Sequence, residues 1–393
     1  MRRLDIREIP HDAVLARPLV DERGAFVLAA GKEVSLPVRE RLWNRGFRHA
    51  FVEQTGFEGI EPTEPLEPQT YFQVRRLLLY MADQVRHAKS LSDVDIPAAD
   101  LTQLAGMACN ELARLKGDFL LYPVWGGMVD RWAALAVNFA VVAARLALDL
   151  LSPDDASVLF VAGLLQDLGQ WRCERIEDHV TASEEIVRGI RSLNAWSKRV
   201  IADHHERLDG SGYPRGKKGD DLAPVSRIMA AAVAYVELLH HPRHPALPHE
   251  AQEALMAEVD AKFDRKTVEL LRRRVPAYPV GTVVRLSTGK LGVVVQPGPP
   301  GLSRPRVRLL GNVRVRSPQA SAQKAAEERR PGEEAAWRET VEATEDVTVE
   351  PEAAELETIE PDAADEDGDS GFQYVEIDLA KEHAVTITRV LKS

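Results

Sequence analysis

The chain has 393 residues, enough for two to four domains, and its 45% apolar content supports a sizeable core. The formal charge of −11 is concentrated: residues 342–369 hold thirteen Asp or Glu and no Lys or Arg, leaving about +2 for everything else. No broad basic face remains, which argues against general nucleic-acid binding. Two cysteines outside any CxxC pattern, Cys109 and Cys173, exclude a disulfide framework and fit a reducing cytosol.

Residues 1–60 read as a small α+β module. Ala13–Leu19 and Ala25–Ala29 are strand candidates around the Asp21–Gly24 turn, Pro37 opens a helix that Gly46 closes, and His49–Glu53 forms a last strand. Prolines at 62, 65 and 68 predict a stiff extended linker leading into a helix, so 61–96 is linker plus helix. From 97 to 275 the periodicity is helical throughout. Its most apolar run, Ala133–Leu151, is interrupted by Asn138, Arg145 and Asp149, and so reads as a buried helix rather than a membrane span. No membrane contact is expected. After 275 the pattern turns to strands: Thr282–Leu286, Leu291–Val295 and Arg306–Leu310, then Phe372–Ile377 and Ala384–Leu391. The stretch 317–371 is too poor in large apolar residues to offset its ordering entropy. It is expected to be a disordered acidic insertion between the two parts of one small β module, 276–316 and 372–393. The arginines at 304, 306, 308, 314 and 316 read as a solvated basic face of that module. The histidines at 240, 241, 244 and 249 are spaced by prolines, as in an exposed loop.

One stretch carries chemistry. His204-His205 ends a helix and leads into Asp209-Gly210-Ser211-Gly212-Tyr213-Pro214-Arg215. Adjacent imidazoles suit a divalent transition metal such as Fe, Mn or Zn, and the glycines let the backbone approach a ligand closely. Tyr213 offers a ring face and a hydroxyl, while Arg207, Arg215, Lys217 and Lys218 add charge suited to phosphate.

That stretch resembles the signature of the HD-GYP family, metal-dependent phosphodiesterases of cyclic di-GMP signalling. The resemblance implies a mainly α, HD-type helical domain flanked here by a small α+β module and a small β module. It also implies metal ligands at Asp167, the bridging and catalytic carboxylate, and at His179, His204 and His205. Three further family ligands are replaced. Leu135 stands for the early His, Gln166 for the His of the His-Asp pair, and Val233 for the late Asp; Gln170 stands for the lysine that follows the pair. Leu and Val cannot ligate, and an amide oxygen is a poor donor to transition metals. Glu177, Asp178 and Asp203 are the nearby carboxylates available as replacements. The expectation is a degenerate, non-catalytic cytoplasmic signalling protein that binds a cyclic dinucleotide or a protein partner through the loop Asp209, Gly210, Gly212, Tyr213, Pro214 and Arg215. It would hold one metal, or none if the site is fully degenerate. The alternative is an active metal phosphodiesterase for cyclic di-GMP.

Overall fold

The computed structural model describes residues 1–310 apart from 22, 116, 118, 125, 174, 242 and 300–302, and then 315–316, 355–356 and 375–391. The acidic tract expected to lack order lies almost wholly outside the described residues.

The N-terminal module contains β1 (Arg2–Asp5), the hairpin β2 (Leu19–Val20) and β3 (Phe26–Leu28), α1 (Leu36–Asn44) and β4 (His49–Val52). β1 pairs antiparallel with β4, Arg2 opposite Val52 and Asp5 opposite His49. The reading of Ala13–Leu19 as one strand is corrected: only its last residue, Leu19, lies in a strand, β2, while Val14 and Leu15 make isolated bridges to Glu33 and Val52. Pro18 removes a ladder donor there. The partner of β4 is instead the charged RRLD segment, whose Arg2 and Arg3 are buried. The linker is corrected too. Residues 61–67 are irregular but docked: Pro62 O accepts from Arg17 (2.7 Å), Thr63 O accepts from the Leu120 amide (2.8 Å), and Leu66 is buried.

Nine of the ten described helices form the helical domain: α2 (Pro68–His87), α3 (Ala98–Arg114), α4 (Met128–Leu150), α5 (Pro153–Leu165), α6 (His179–Arg188), α7 (Ala195–Asp203), α8 (Pro224–Leu239), α9 (Pro248–Ala257) and α10 (Arg265–Arg274). α4 is its axis and packs against α2, α3, α5, α8 and α10. By length and composition α4 could cross a membrane, but 78% of its apolar window is buried inside the protein. Its closest neighbour is α5, where a Cβ on Gly163 would lie 2.6 Å from the Ala140 backbone, so glycine sets the crossing distance. Asn138, fully buried in α4, bonds both the amide (2.8 Å) and the carbonyl (2.9 Å) of Tyr122, satisfying a connector that would otherwise bury unpaired backbone. Ser152 caps α5 by accepting from the Asp155 amide at 3.1 Å.

The C-terminal module holds β5 (Val283–Leu286), β6 (Leu291–Gln296), β7 (Arg306–Leu310), β8 (Val315–Arg316), β9 (Glu355–Leu356), β10 (Glu376–Asp378) and β11 (Ile387–Leu391). Five of these make one antiparallel sheet in the order β10-β7-β6-β5-β11, so strands from both sides of the acidic tract share it. β8 and β9 pair separately. Two arginines of the supposed basic face, Arg304 and Arg308, are structural. Arg304 donates to the carbonyls of Leu379, Glu382 and Val385. Arg308 pairs with Glu376 at 3.1 Å and bonds the Glu58 carbonyl, tying the sheet to the N-terminal module.

Candidate metal centre

Asp167 follows α5, His179 opens α6, and His204-His205 ends α7. These three elements converge, and one ligand atom from each of Asp167, His179, His204 and His205 lies within 4.8 Å of the others. Gly169 makes the convergence possible. The turn at 168–171 lies directly on α6, where a Cβ on Gly169 would come within 2.5 Å of the His179 carbonyl and the Ser183 amide. The Gly169 amide donates to Ser183 Oγ at 2.8 Å. That apposition sets Asp167 Oδ1 3.3 Å from His179 Nε2 and 3.5 Å from His204 Nε2.

The hydrogen bonds fix the tautomers. His179 Nδ1 faces the Ile176 carbonyl, and His204 Nδ1 faces the Ile201 carbonyl at 2.8 Å. Each Nδ1 therefore carries a proton, so each Nε2 either carries a second proton toward Asp167 or, in the neutral ring, presents a lone pair. Those two Nε2 atoms are 3.1 Å apart. Two lone pairs cannot bond each other, so a proton or a metal ion must lie between them. Donors 2.0–2.2 Å from one ion sit about 3.0 Å apart at right angles and about 3.4 Å apart at the tetrahedral angle. The observed 3.1, 3.3 and 3.5 Å match that spacing. The residues present fit a single divalent ion.

The electrostatics agree. Burial opposes ionisation of Asp167, but hydrogen bonds from His179 and His204 outweigh it and hold the carboxyl well below its usual range. Burial would lower His179, and Asp167 more than reverses this, leaving it raised. His205 is pushed down to about 2 by burial and then by its neighbour His204, so it stays a neutral ligand.

The loop after the pair is built on the cluster. Glu206, fully buried, accepts from the amides of Arg215 (2.7 Å) and Lys217 (2.9 Å) with its two carboxylate oxygens. A Cβ on Gly212 would lie 2.4 Å from the His205 carbonyl and 2.5 Å from the Arg207 amide, so only glycine passes there. Gly210 has φ +81°, which also favours glycine. Asp209 Oδ1 accepts from the Ser211 amide at 2.8 Å. The Tyr213–Pro214 bond is cis, and the Tyr213 ring stacks on His205 with centroids 4.7 Å apart.

The predicted phosphate cations are largely engaged inside the protein. Arg215 pairs with Glu184 at 2.5 Å, Lys217 with the buried Asp203, and Arg207 donates to the carbonyls of His204 and Glu206. The substitute carboxylates also stay away from the cluster: Asp203 holds Lys217 and Ser226, while Glu177 and Asp178 are exposed. Leu135 packs against the core and Val233 is buried in it. Gln166 is fully buried with both amide atoms unpaired among the described residues. Two residues escaped the sequence reading. Glu206 lay inside the recognised motif. Glu237, one helical turn after Val233 on α8, places Oε1 3.9 Å from His205 Nε2. A cleft of about 520 Å³ between α10 and the C-terminal sheet shares no residue with this cluster.

Fold and site together define an HD-type domain, and residues 129–267 match the HD domain family model. The helical domain with its His204–Pro214 run is similar to HD-GYP proteins. It is 29% identical over 176 residues to a cyclic di-GMP phosphodiesterase of Pseudomonas aeruginosa, covering 40% of this chain and 42% of the relative. It is 36% identical over 118 residues to 3'3'-cGAMP-specific phosphodiesterase 2 of Vibrio cholerae, covering 29% of this chain and 22% of the relative. The chain thus spans less than half the length of either. A solved HDG"Y"P protein from Bdellovibrio bacteriovorus is 13% identical and covers 68% of this chain and 97% of its own, with a TM-score of 0.42.

Proposed function

We propose that this chain is a cyclic-dinucleotide-binding signalling protein whose HD-GYP centre holds one divalent metal and does not run two-metal hydrolysis. The observation that carries this reading is the spacing of Asp167, His179, His204 and His205. They fit one ion, while Leu135, Gln166 and Val233 stand where further ligands are expected. Two-metal hydrolysis needs ions about 3.5–4 Å apart, each with its own ligand set. The unpaired amide of Gln166 costs about 1–3 kcal/mol per unsatisfied atom, a burden consistent with a site inherited from a ligand-bearing ancestor.

A bound divalent ion would supply positive charge for a phosphate oxygen and lower the pKa of a coordinated water. The chain's own residues do the rest. Asp167 with His179 and His204 would hold that charge, with the Nδ1 atoms of both imidazoles tied to backbone carbonyls. Tyr213, braced on His205, gives a base an aromatic edge beside the ion. Exposed Lys218 lies with its stem over Gly210 of the loop.

Calorimetry of the full chain with cyclic di-GMP, with and without Mn²⁺, tests this reading beside a chromatographic assay for linear product. Metal-dependent binding without turnover is expected. Sustained turnover would support the second reading, a one-metal phosphodiesterase, which is favoured by the activity named for the relatives that match this segment. Absence of nucleotide binding in either condition would sink both.

A further inference from the structure

We infer that Glu237 is a fifth ligand of this metal centre, supplying from α8 the carboxylate that Val233 no longer provides. The inference rests on the one-metal reading above.

Residues four apart on a helix stand one above the other, about 6 Å along the axis. Val233 points into the core at 1% exposure. Glu237, one turn later, leaves the core and reaches the mouth of the cluster, where Oε1 stands 3.9 Å from His205 Nε2. Its side chain is 49% exposed, so it is free to swing. A ligand pair on one ion needs about 3.0–3.4 Å, and a single rotation of a long Glu side chain covers the remaining distance of about 0.5–0.9 Å. The charges around Glu237 are also telling. Glu237 approaches the cluster at His205, as Asp167 does at His179 and His204, so both carboxylates face the same group of imidazoles. Two carboxylates turned toward one pocket repel each other unless a cation lies between them. Among the described residues the Glu237 carboxylate has no ion pair closer than the one to His205.

The addition changes the class of metal. Four donors of the type His₃Asp, closed around one ion, suit tetrahedral Zn²⁺. Three imidazoles with two carboxylates leave one open position on a six-coordinate ion, which suits Mn²⁺ or Fe²⁺ and leaves room for a water or a phosphate oxygen.

The full chain, stripped with chelator, is titrated separately with Mn²⁺ and Zn²⁺ by calorimetry. The variants Glu237→Gln and Asp167→Asn are run beside it, with thermal melts to confirm folding. Wild type should bind one Mn²⁺ per chain. Glu237→Gln should bind Mn²⁺ at least tenfold more weakly while Zn²⁺ changes less than threefold, and Asp167→Asn should lose both. If Glu237→Gln leaves Mn²⁺ affinity unchanged while Asp167→Asn abolishes it, the fifth ligand is refuted and the four-donor site stands. If wild type takes up neither ion, the metal centre itself is wrong and Glu237 falls with it.

Discussion

Gly169→Ala tests how the centre is assembled. The added Cβ would stand 2.5 Å from two backbone atoms of α6, the His179 carbonyl and the Ser183 amide, where ordinary contact begins at 3.4 Å. Backbone cannot give way as a side-chain tip can, so the 168–171 turn and α6 must part by about 0.9 Å (3.4 minus 2.5). Asp167 moves with the turn and His179 with the helix, so their 3.3 Å approach opens to about 4 Å. Overpacking of this kind costs about 1–3 kcal/mol of stability. Displacing a ligand by that distance should weaken metal binding by about 10–100-fold, the scale set by loss of supporting groups. Urea unfolding gives the first number and Mn²⁺ calorimetry the second. Gly106→Ala is the control: it sits in α3 with nothing within 4 Å of the new Cβ, and should leave metal affinity untouched. A Gly169→Ala protein that folds as stably as wild type and binds metal equally well would refute the claim that this contact positions Asp167.

Stability should respond to pH in opposite directions with and without metal. The raised pKa of His179 means that the metal-free folded state holds a proton the unfolded chain has lost. Its contribution is complete below 6.5 and fades as pH climbs through the raised value. Metal needs His179 deprotonated, so affinity rises over the same range. Between pH 6 and 8 the melting temperature of the apo protein, relative to His179→Gln, should fall, and metal-induced stabilisation should grow; parallel curves would contradict the assignment. Tyr213→Ala removes the ring stacked on His205 and should weaken cyclic di-GMP by about tenfold, about 1–3 kcal/mol of stacking, without altering metal content. An unchanged nucleotide affinity would move the base elsewhere. Glu206→Gln strips charge from the two-amide anchor of the loop, and should raise proteolytic cleavage between 209 and 218 with little change in global melting.

Much of this was legible in the residues, for physical reasons. α4, α5 and α8 are long, apolar and started by Gly or Pro, so periodicity and punctuation alone placed them within a few residues. Asp167, His179, His204 and His205 were found through a motif, and the fold brings them to one point. What escaped was tertiary. Nothing about RRLD at the start of the chain suggests a buried strand, because its stability comes from pairing with β4 and from an Arg3 bond to the Leu121 carbonyl at 2.9 Å. The prolines of 61–69 announced extension, but could not say that Pro62 and Leu66 would be buried against the domains on either side. Charge near the loop looked available for phosphate, yet Glu184 and Asp203 claim Arg215 and Lys217, an outcome fixed by where α6 and α7 lie. The replacement carboxylate was sought beside the motif in sequence. Glu237 lies beside it only in space, although its i+4 offset from Val233 was a signal that helical geometry could have supplied.

The most direct test of the central claim is metal content per chain, measured by inductively coupled plasma mass spectrometry on anaerobically purified protein, beside a His204→Ala, His205→Ala double variant. The account predicts one Mn, Fe or Zn per chain, lost in the variant. Two ions per chain would contradict the single-metal reading and restore Asp167 as a bridge between two metals. A metal-free protein that cannot be loaded would leave the facing Nε2 atoms of His179 and His204 to share a proton instead.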